Sequence, residues 1–251
     1  MSGHSKWSTI KHKKGAADVK RGKLFSKLSR AIIVAAKEGG PDVDGNLALQ
    51  NAVEKARSFS MPKDNIERAI ARGAGTDADA SSFDHVVYEG YAAAGVAVLV
   101  TTLTDNRNRT ASEVRHIFDR NGGNLGTDGS VAWLFERRGV VLVPAEDVDE
   151  DELLLAAAEG GADDVQLDGS SFEVLCGPAD LHAVRQAVEA AGFAIESAET
   201  SMLPKTTVAV EDETDAKKVL RLMDALEDND DVQEVSANFD IPEQVLEAVA
   251  S

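Results

Sequence analysis

The chain has 251 residues, 43% of them hydrophobic and 28% charged, with a net charge of −18 and one cysteine, Cys176. That is the make-up of an ordinary globular protein of one to three domains, and a lone thiol excludes an internal disulfide framework. The longest apolar runs, such as Ala92–Val100, fall well short of the roughly 20 residues that span a bilayer. No apolar core of a secretory signal stands near the start, so a cytoplasmic protein without membrane contact is expected.

The charge is unevenly spread. Residues 1–40 hold ten Lys/Arg against two acids, a net +8, which leaves −26 for residues 41–251 out of the total of −18. A basic segment on an acidic body points to an anionic partner, nucleic acid first. Phosphate contacts are local, so the acidic pI of 4.6 does not argue against them.

Residues 1–15 carry too much Gly, Lys, His and Ser to pack a core, and read as an arm that orders on binding. His4, Lys6, Lys11, His12, Lys13 and Lys14 are its polar and basic side chains. Trp7 is the one aromatic among them, either docking the arm or stacking on a base. From Ala16 to Lys37 the pattern becomes helical. Leu24, Leu28, Ala31, Ile32 and Ala35 recur at three- and four-residue steps. Lys20, Lys23, Lys27 and Arg30, with Arg21 beside them, form a cationic ladder along a neighbouring face. Phosphate binding is the expected use of that ladder. Gly39-Gly40-Pro41 ends the helix.

Two shorter helices follow. Residues 46–57 present Leu47, Leu49, Ala52, Val53 and Ala56, and residues 63–72 open with Asp64 and Glu67 in capping-box spacing after Pro62. Residues 1–75 thus read as a basic arm and helical domain, with a linker by composition over 73–82.

The period then changes to that of strands at 86–91 and 96–103. A helix capped by Thr110-x-x-Glu113 runs to Arg120, and a strand covers Val131–Phe135. Residues 139–203 give strand, helix, strand, strand, helix, strand. This βαββαβ order is ferredoxin-like. A strand at 206–210, a helix at 214–227 and a strand at 232–238 are half a domain, completed by 83–138. The expected fold class is therefore α+β: an N-terminal helical domain plus two α/β domains of ferredoxin-like character. Residues 139–203 would be inserted in a discontinuous domain of 83–138 plus 204–251. A linear layout with a weak C-terminal unit is the alternative.

Several stretches carry a resemblance. Gly3-His4-Ser5-Lys6-Trp7, Lys11-His12-Lys13-Lys14 and Arg21-Gly22-Lys23 are similar to the opening of the YebC/PmpR family. Internal motifs of that family are matched by Met61–Ile70, Tyr88-Glu89-Gly90-Tyr91, Thr104–Thr110, Gly129-Ser130-Val131, and Asp224–Asp228 followed by Asp231-Val232-Gln233. The resemblance runs end to end. It implies three domains, a cytoplasmic bacterial protein and a DNA-binding regulator of transcription. It also implies, as the alternative, a translation factor on ribosomal RNA, like the mitochondrial translational activator and members tied to ribosomes stalled on proline runs. No enzyme activity is established for the family, and only its basic N-terminal positions carry over as functional. Two departures stand out: Ala92-Ala93-Ala94 replaces the family's Pro-Gly, which predicts a looser turn, and Ile33 stands where a polar residue is expected.

Other constellations are weaker. Arg107, Arg109 and Arg115 with Asn106 and Asn108 make a secondary basic spot near a helix N-terminus, which favours phosphate unless the acidic body pairs with it. Gly123-Asn124-Leu125-Gly126 resembles a KH-type loop, but a turn is the better reading. The acid clusters Glu146–Glu152 and Glu227–Asp231 lack calcium-loop spacing and read as solvated turns. His85, His116 and His182 sit beside no nucleophile motif. No catalytic residue, metal or cofactor is expected. The partner is nucleic acid, DNA or ribosomal RNA, and a monomer is favoured.

Overall fold

The computed structural model describes residues 18–75 and 83–250. They fall into two compact units, one of 18–75, 83–130 and 213–235, the other of 131–212 and 236–250.

The first unit opens with three helices, α1 (Asp18–Gly39), α2 (Leu47–Ser58) and α3 (Lys63–Gly73). Leu28, Ile32, Ala35 and Ala36 of α1 meet Leu49, Val53 and Ala56 of α2 and Ile66 and Ala69 of α3. Each large side chain buried there contributes about 1.5–3 kcal/mol. Ile33 is buried with them, so its departure from the family pattern widens the packing face of α1. The end of α3 crosses α1 so closely that a Cβ on Gly73 would lie 2.4 Å from the Ile33 carbonyl oxygen.

Asn46 joins the first two helices. Its Oδ1 accepts from Leu49 N at 3.1 Å, capping α2, while its Nδ2 donates to the Ala35 and Gly40 carbonyls, both at 2.8 Å. It thereby satisfies orphan groups of two helix ends at once.

Two local expectations fail in this bundle. Pro62 is the N-cap of α3, with no side-chain cap bond. Asp64 lies inside the first turn, and Glu67 pairs with Lys63 at 3.5 Å instead of closing a capping box. Leu47 is exposed rather than packed, because it is the first helical residue of α2 and precedes the buried stripe.

The same unit continues into a sheet. β1 (Asp84–Tyr91) and β2 (Ala97–Thr104) pair antiparallel from Asp84↔Thr104 to Tyr91↔Ala97. The 3-10 turn Ala93–Gly95 joins them. Ala92 N donates to Val96 O and Val96 N to Ala93 O, at 2.8 and 3.2 Å. The turn is thus closed, not loose, though Ala94 at φ 58 carries roughly 1–2 kcal/mol of left-handed strain that a glycine would not.

α4 spans Arg107–Arg120 and starts one turn earlier than expected, since Asn106, not Thr110, is its cap. β3 (Asn124–Leu125) pairs with β1, α7 (Glu213–Glu227) packs on α4, and β9 (Val232–Ala237) lies beside β2. The strand order is β3-β1-β2-β9. Phe118, Leu222, Met223 and Leu226 fill the space under this sheet. The Phe118 ring rests on Gly90, where a Cβ would lie 2.7 Å away.

The second unit is built on β4 (Phe135–Pro144), α5 (Glu150–Glu159), β5 (Ala162–Asp168), β6 (Ser171–Cys176), α6 (Leu181–Ala190) and β7 (Ser197–Pro204). The strands run β5-β6-β4-β7 with antiparallel neighbours, the ferredoxin-like order. Val141, Val143, Leu153, Val174, Val184 and Val188 form its core. Residues 131–134 are not strand: Ala132–Leu134 is a 3-10 turn, and β4 begins at Phe135.

β8 (Val208–Ala209) and β10 (Phe239–Asp240) make a small parallel pair, and α8 (Glu243–Ala250) ends the described chain. The sequence reading does not anticipate that last helix. The unit boundaries fall at 130/131, 212/213 and 235/236. The β8–β10 pair and a bond from Lys205 N to Leu134 O at 2.8 Å tie the flanking segments to the ferredoxin-like sheet. The fold class is α+β.

Among the described residues, no helix is long and apolar enough to cross a membrane. Among the same residues, no group of three His, Cys, Asp or Glu could hold a metal ion.

Candidate nucleic-acid interface

The arm residues His4, Lys6, Trp7, Lys11, His12, Lys13 and Lys14, and the linker 76–82, lie outside the described residues. Lys20 and Arg21 belong to the first turn of α1. The rest of the ladder is fully placed, and all three of its cations are engaged by the end of α7 and the segment that follows it.

Lys23 Nζ donates to the Asp228 carbonyl at 3.2 Å, and Lys27 Nζ donates to that of Glu227. Arg30 Nη1 donates to the Asp230 carbonyl and, at 2.8 Å, to Asp231 Oδ1. The Glu227 carbonyl is the last of α7, and those of Asp228 and Asp230 follow it directly. Cations there satisfy orphan acceptors and favour the negative end of the helix dipole. The guanidinium of Arg30 also lies 5.6 Å from the Phe83 ring centroid, a cation–π distance. Within this unit, α1 is clamped to the end of α7 by the cations that spacing alone assigns to phosphate.

Asp231 is the centre of the clamp. Its side chain is 4% exposed. Besides Arg30, it accepts from Arg109 Nη2 and Thr110 Oγ1, both at 2.7 Å, and from Thr104 Oγ1 at 3.3 Å. Its backbone is held as well: Leu103 N donates to its carbonyl at 2.8 Å, and its own N–H donates to Asn229 Oδ1 at 2.9 Å. Burial alone would raise its pKa. Hydrogen bonds from Arg109 and Thr110, with the charges of Arg109 and Arg30, outweigh burial and hold the carboxyl below its ordinary value. The cluster Glu227–Asp231 is therefore no mere solvated turn at its last residue.

The secondary basic spot is engaged in the same way. Arg107 Nε pairs with Asp84 at 2.7 Å, and Arg109 reaches Asp105 at 2.9 Å as well as Asp231. Arg115 is exposed on α4. The acidic body thus claims two of the three arginines.

The motifs Thr104–Thr110 and Asp224–Asp231, more than 100 residues apart in sequence, converge on one buried carboxylate. Sequence reasoning missed Asp231 as the hub. The signals available were the family motifs that contain Thr104, Arg109, Thr110 and Asp231, and the placing of acids just past a helix that ends in no basic residue. The motif Tyr88–Tyr91 works elsewhere, holding the loop after β3. Glu89 Oε1 accepts from Gly129 N at 2.7 Å, the Glu89 carbonyl accepts from Gly126 N at 2.7 Å, and Tyr91 Oη donates to the Ser130 carbonyl at 3.1 Å. Gly123–Gly126 accordingly forms the edge strand β3 and its exit, not a phosphate clamp.

Catalytic alternatives find little support in the described residues. Cys176 is fully buried, and burial, helped by Asp180, pushes its thiol up to about 11. It stays protonated at neutral pH and is a poor nucleophile. His85, His116 and His182 are exposed on three separate elements, β1, α4 and α6. In the other acid cluster, Asp149 caps α5 through its Oδ1, which accepts from Asp151 N and Glu152 N at 3.0 and 3.1 Å.

Comparison with known proteins agrees with this architecture. Residues 5–76 match the family model of the TACO1/YebC protein N-terminal domain, and residues 83–239 match that of the TACO1/YebC second and third domain. A "Probable transcriptional regulatory protein" of Rubrobacter xylanophilus is 61% identical over 250 residues, covering 100% of both chains. One of Desulforapulum autotrophicum is 52% identical over 249 residues, covering 99% of this chain and 100% of its own. The crystal structure of a conserved hypothetical protein from Aquifex aeolicus superposes with a TM-score of 0.82 at 51% identity, over 91% of this chain and 94% of that one. With both family models matched in order and relatives aligned along their whole length, the chain belongs to the TACO1/YebC family.

Proposed function

We propose that the protein is a cytoplasmic nucleic-acid-binding regulator that grips phosphates of double-stranded DNA with its N-terminal arm and the start of α1. The observation that carries this reading is the charge asymmetry, +8 over residues 1–40 against −26 over the remainder. The names of the curated relatives support a regulatory role in transcription. Because Lys23, Lys27 and Arg30 hold the end of α7, the phosphate-facing set narrows to Lys6, Lys11, Lys13, Lys14, Lys20 and Arg21. His4 and His12 are polar neighbours, and Trp7 is an aromatic contact. The secondary spot contributes through Arg115 at most.

Six phosphate contacts correspond to a slope of log K against log salt of roughly −5 on duplex DNA, at about −0.9 per contact. Filter binding of the full chain to promoter duplex measures it. Replacing Lys6, Lys11, Lys13 and Lys14 by Gln removes about 3.6 of that slope. An unchanged slope in that variant ends the proposal.

The second reading is a translation factor on ribosomal RNA, and one observation favours it. With three ladder cations clamped onto α7, no continuous cationic row is left along α1 to track a regular groove, and the cations spread unevenly over residues 1–15 suit irregular RNA. Co-sedimentation with ribosomes that disappears in the four-Lys variant, without a promoter footprint, selects this reading. A discrete footprint that survives raised salt selects the first.

A further inference from the structure

The second unit contains an aromatic that its core does not use. Trp133 sits at the centre of the 3-10 turn Ala132–Leu134 and is 66% exposed. Its flanks are anchored: Val131 and Phe135 on either side are buried. The turn is closed by Leu134 N donating to Val131 O at 2.9 Å, and Lys205 N donates to Leu134 O at 2.8 Å. Lys205 Nζ then donates to the Trp133 carbonyl at 3.2 Å. The indole is therefore displayed on a pinned turn, and it comes with a cation.

The charge around it is unlike that of its surroundings. Residues 131–212 contain eighteen Asp/Glu and only four Lys/Arg: Arg137, Arg138, Arg185 and Lys205. Three of those four lie beside the Trp133 turn. The register Phe135↔Pro204, Arg137↔Met202, Arg138↔Ser201 sets the start of β4 against the end of β7, from which Lys205 continues. Arg138 is taken by Asp163 at 2.6 Å and Glu136 at 3.7 Å. Arg137 and Lys205 are exposed, as are Thr206 and Thr207. An exposed aromatic whose turn is held by Lys205, with Arg137 and two hydroxyls exposed at the same end of the sheet, matches a base and its neighbouring phosphates. A duplex keeps base faces stacked and cannot offer one, whereas a single strand can.

We infer that Trp133, flanked by Lys205 and Arg137, is a stacking site for an unpaired nucleobase of a single strand, with the two cations on the adjoining phosphates. The inference rests on the reading of the chain as a nucleic-acid binder and specifies a kind of strand that reading leaves open. RNA and DNA share this chemistry, and the test separates them.

The chain has two tryptophans, Trp7 and Trp133, so a Trp7→Phe background leaves one fluorophore. It is titrated with a uridine 12-mer, a thymidine 12-mer and a 12-base-pair duplex. Single strands quench the emission saturably and the duplex does not. A preference between the first two assigns the site to RNA or DNA. In the same background Trp133→Ala weakens single-strand binding roughly 5- to 150-fold, the range for loss of one base–aromatic stack. Trp133→Phe keeps most of the affinity. Lys205→Ala flattens the salt slope by about 0.7, one phosphate on a single strand. Single-strand binding without quenching, at an affinity that Trp133→Ala leaves alone, overturns this inference while the nucleic-acid reading stands. Binding confined to the duplex also overturns it. No binding to any of the three probes overturns both.

Discussion

Helix α1 and the Trp133 turn both set a cation beside an aromatic, yet they use it differently. On α1, Arg30 faces Phe83, and with Lys23 and Lys27 it donates to carbonyls at the end of α7. At the turn, Lys205 donates to the backbone beneath an indole that remains exposed. Four cations at helical spacing give the stronger sequence signal, and three of them are structural. Lys205, which reaches the Trp133 carbonyl from 72 residues away, gives no signal at all. Spacing shows which side chains share a face; it does not show what that face meets.

The comparison breaks most sharply at Asp231. If the clamp is structural, Asp231→Ala leaves Arg30 and Arg109 without their buried partner and costs about 3–5 kcal/mol of unfolding free energy. Urea denaturation measures the loss, and a change under about 1 kcal/mol would show that Asp231 does not hold the unit together. Arg30→Ala follows at about 1.5–3 kcal/mol, the range for a hydrogen bond to a charged group. Arg30→Lys does not restore it, since an ammonium cannot reproduce the planar guanidinium over Phe83. Trp133→Ala, by contrast, leaves the stability within about 0.5 kcal/mol, as for other surface changes.

The clamp also has a pH signature. The Asp231 pKa is lowered in the folded protein. A lowered carboxyl contributes stability that is fully present above the unfolded value of about 3.9 and is lost as pH falls through the folded value. Wild-type stability therefore declines below about pH 4 in part because Asp231 takes up a proton. Asp231→Asn starts lower at neutral pH and has a flatter acid limb. Parallel acid limbs for the two proteins would assign the decline to other carboxylates.

What the sequence discloses follows from how local each feature is. The helices of the bundle are legible because Leu28, Ile32 and Ala35 repeat at helical steps and Gly39-Gly40-Pro41 stops the first. The ferredoxin-like unit is legible because its strands and helices alternate with short, well-marked turns. Asp231 is not, because its burial depends on Arg30, Thr104, Arg109 and Thr110, which arrive from two distant segments. Val131–Phe135 reads as strand because apolar residues in a 3-10 turn and in a short strand look alike without their hydrogen bonds. At the end of the chain, β10 stays hidden because a two-residue strand carries no period, and α8 because its eight residues make barely two turns.

Lys23 stands on the border between the two uses and gives the smallest and most discriminating effect. Its Nζ is 3.2 Å from the Asp228 carbonyl and 3.9 Å from Asp230, and its side chain is 49% exposed. Solvent screens so open a pair, so Lys23→Ala costs about 0–1 kcal/mol, well below the Arg30 change. A cation held this loosely can swing toward a phosphate without weakening the clamp. If it does, Lys23→Ala flattens the salt slope of duplex binding by about 0.9 while the unfolding midpoint barely moves. If it belongs wholly to the clamp, the slope stays and only the small stability loss remains. Measuring both quantities on this one variant locates where along α1 the structural cations end and the phosphate-facing ones begin.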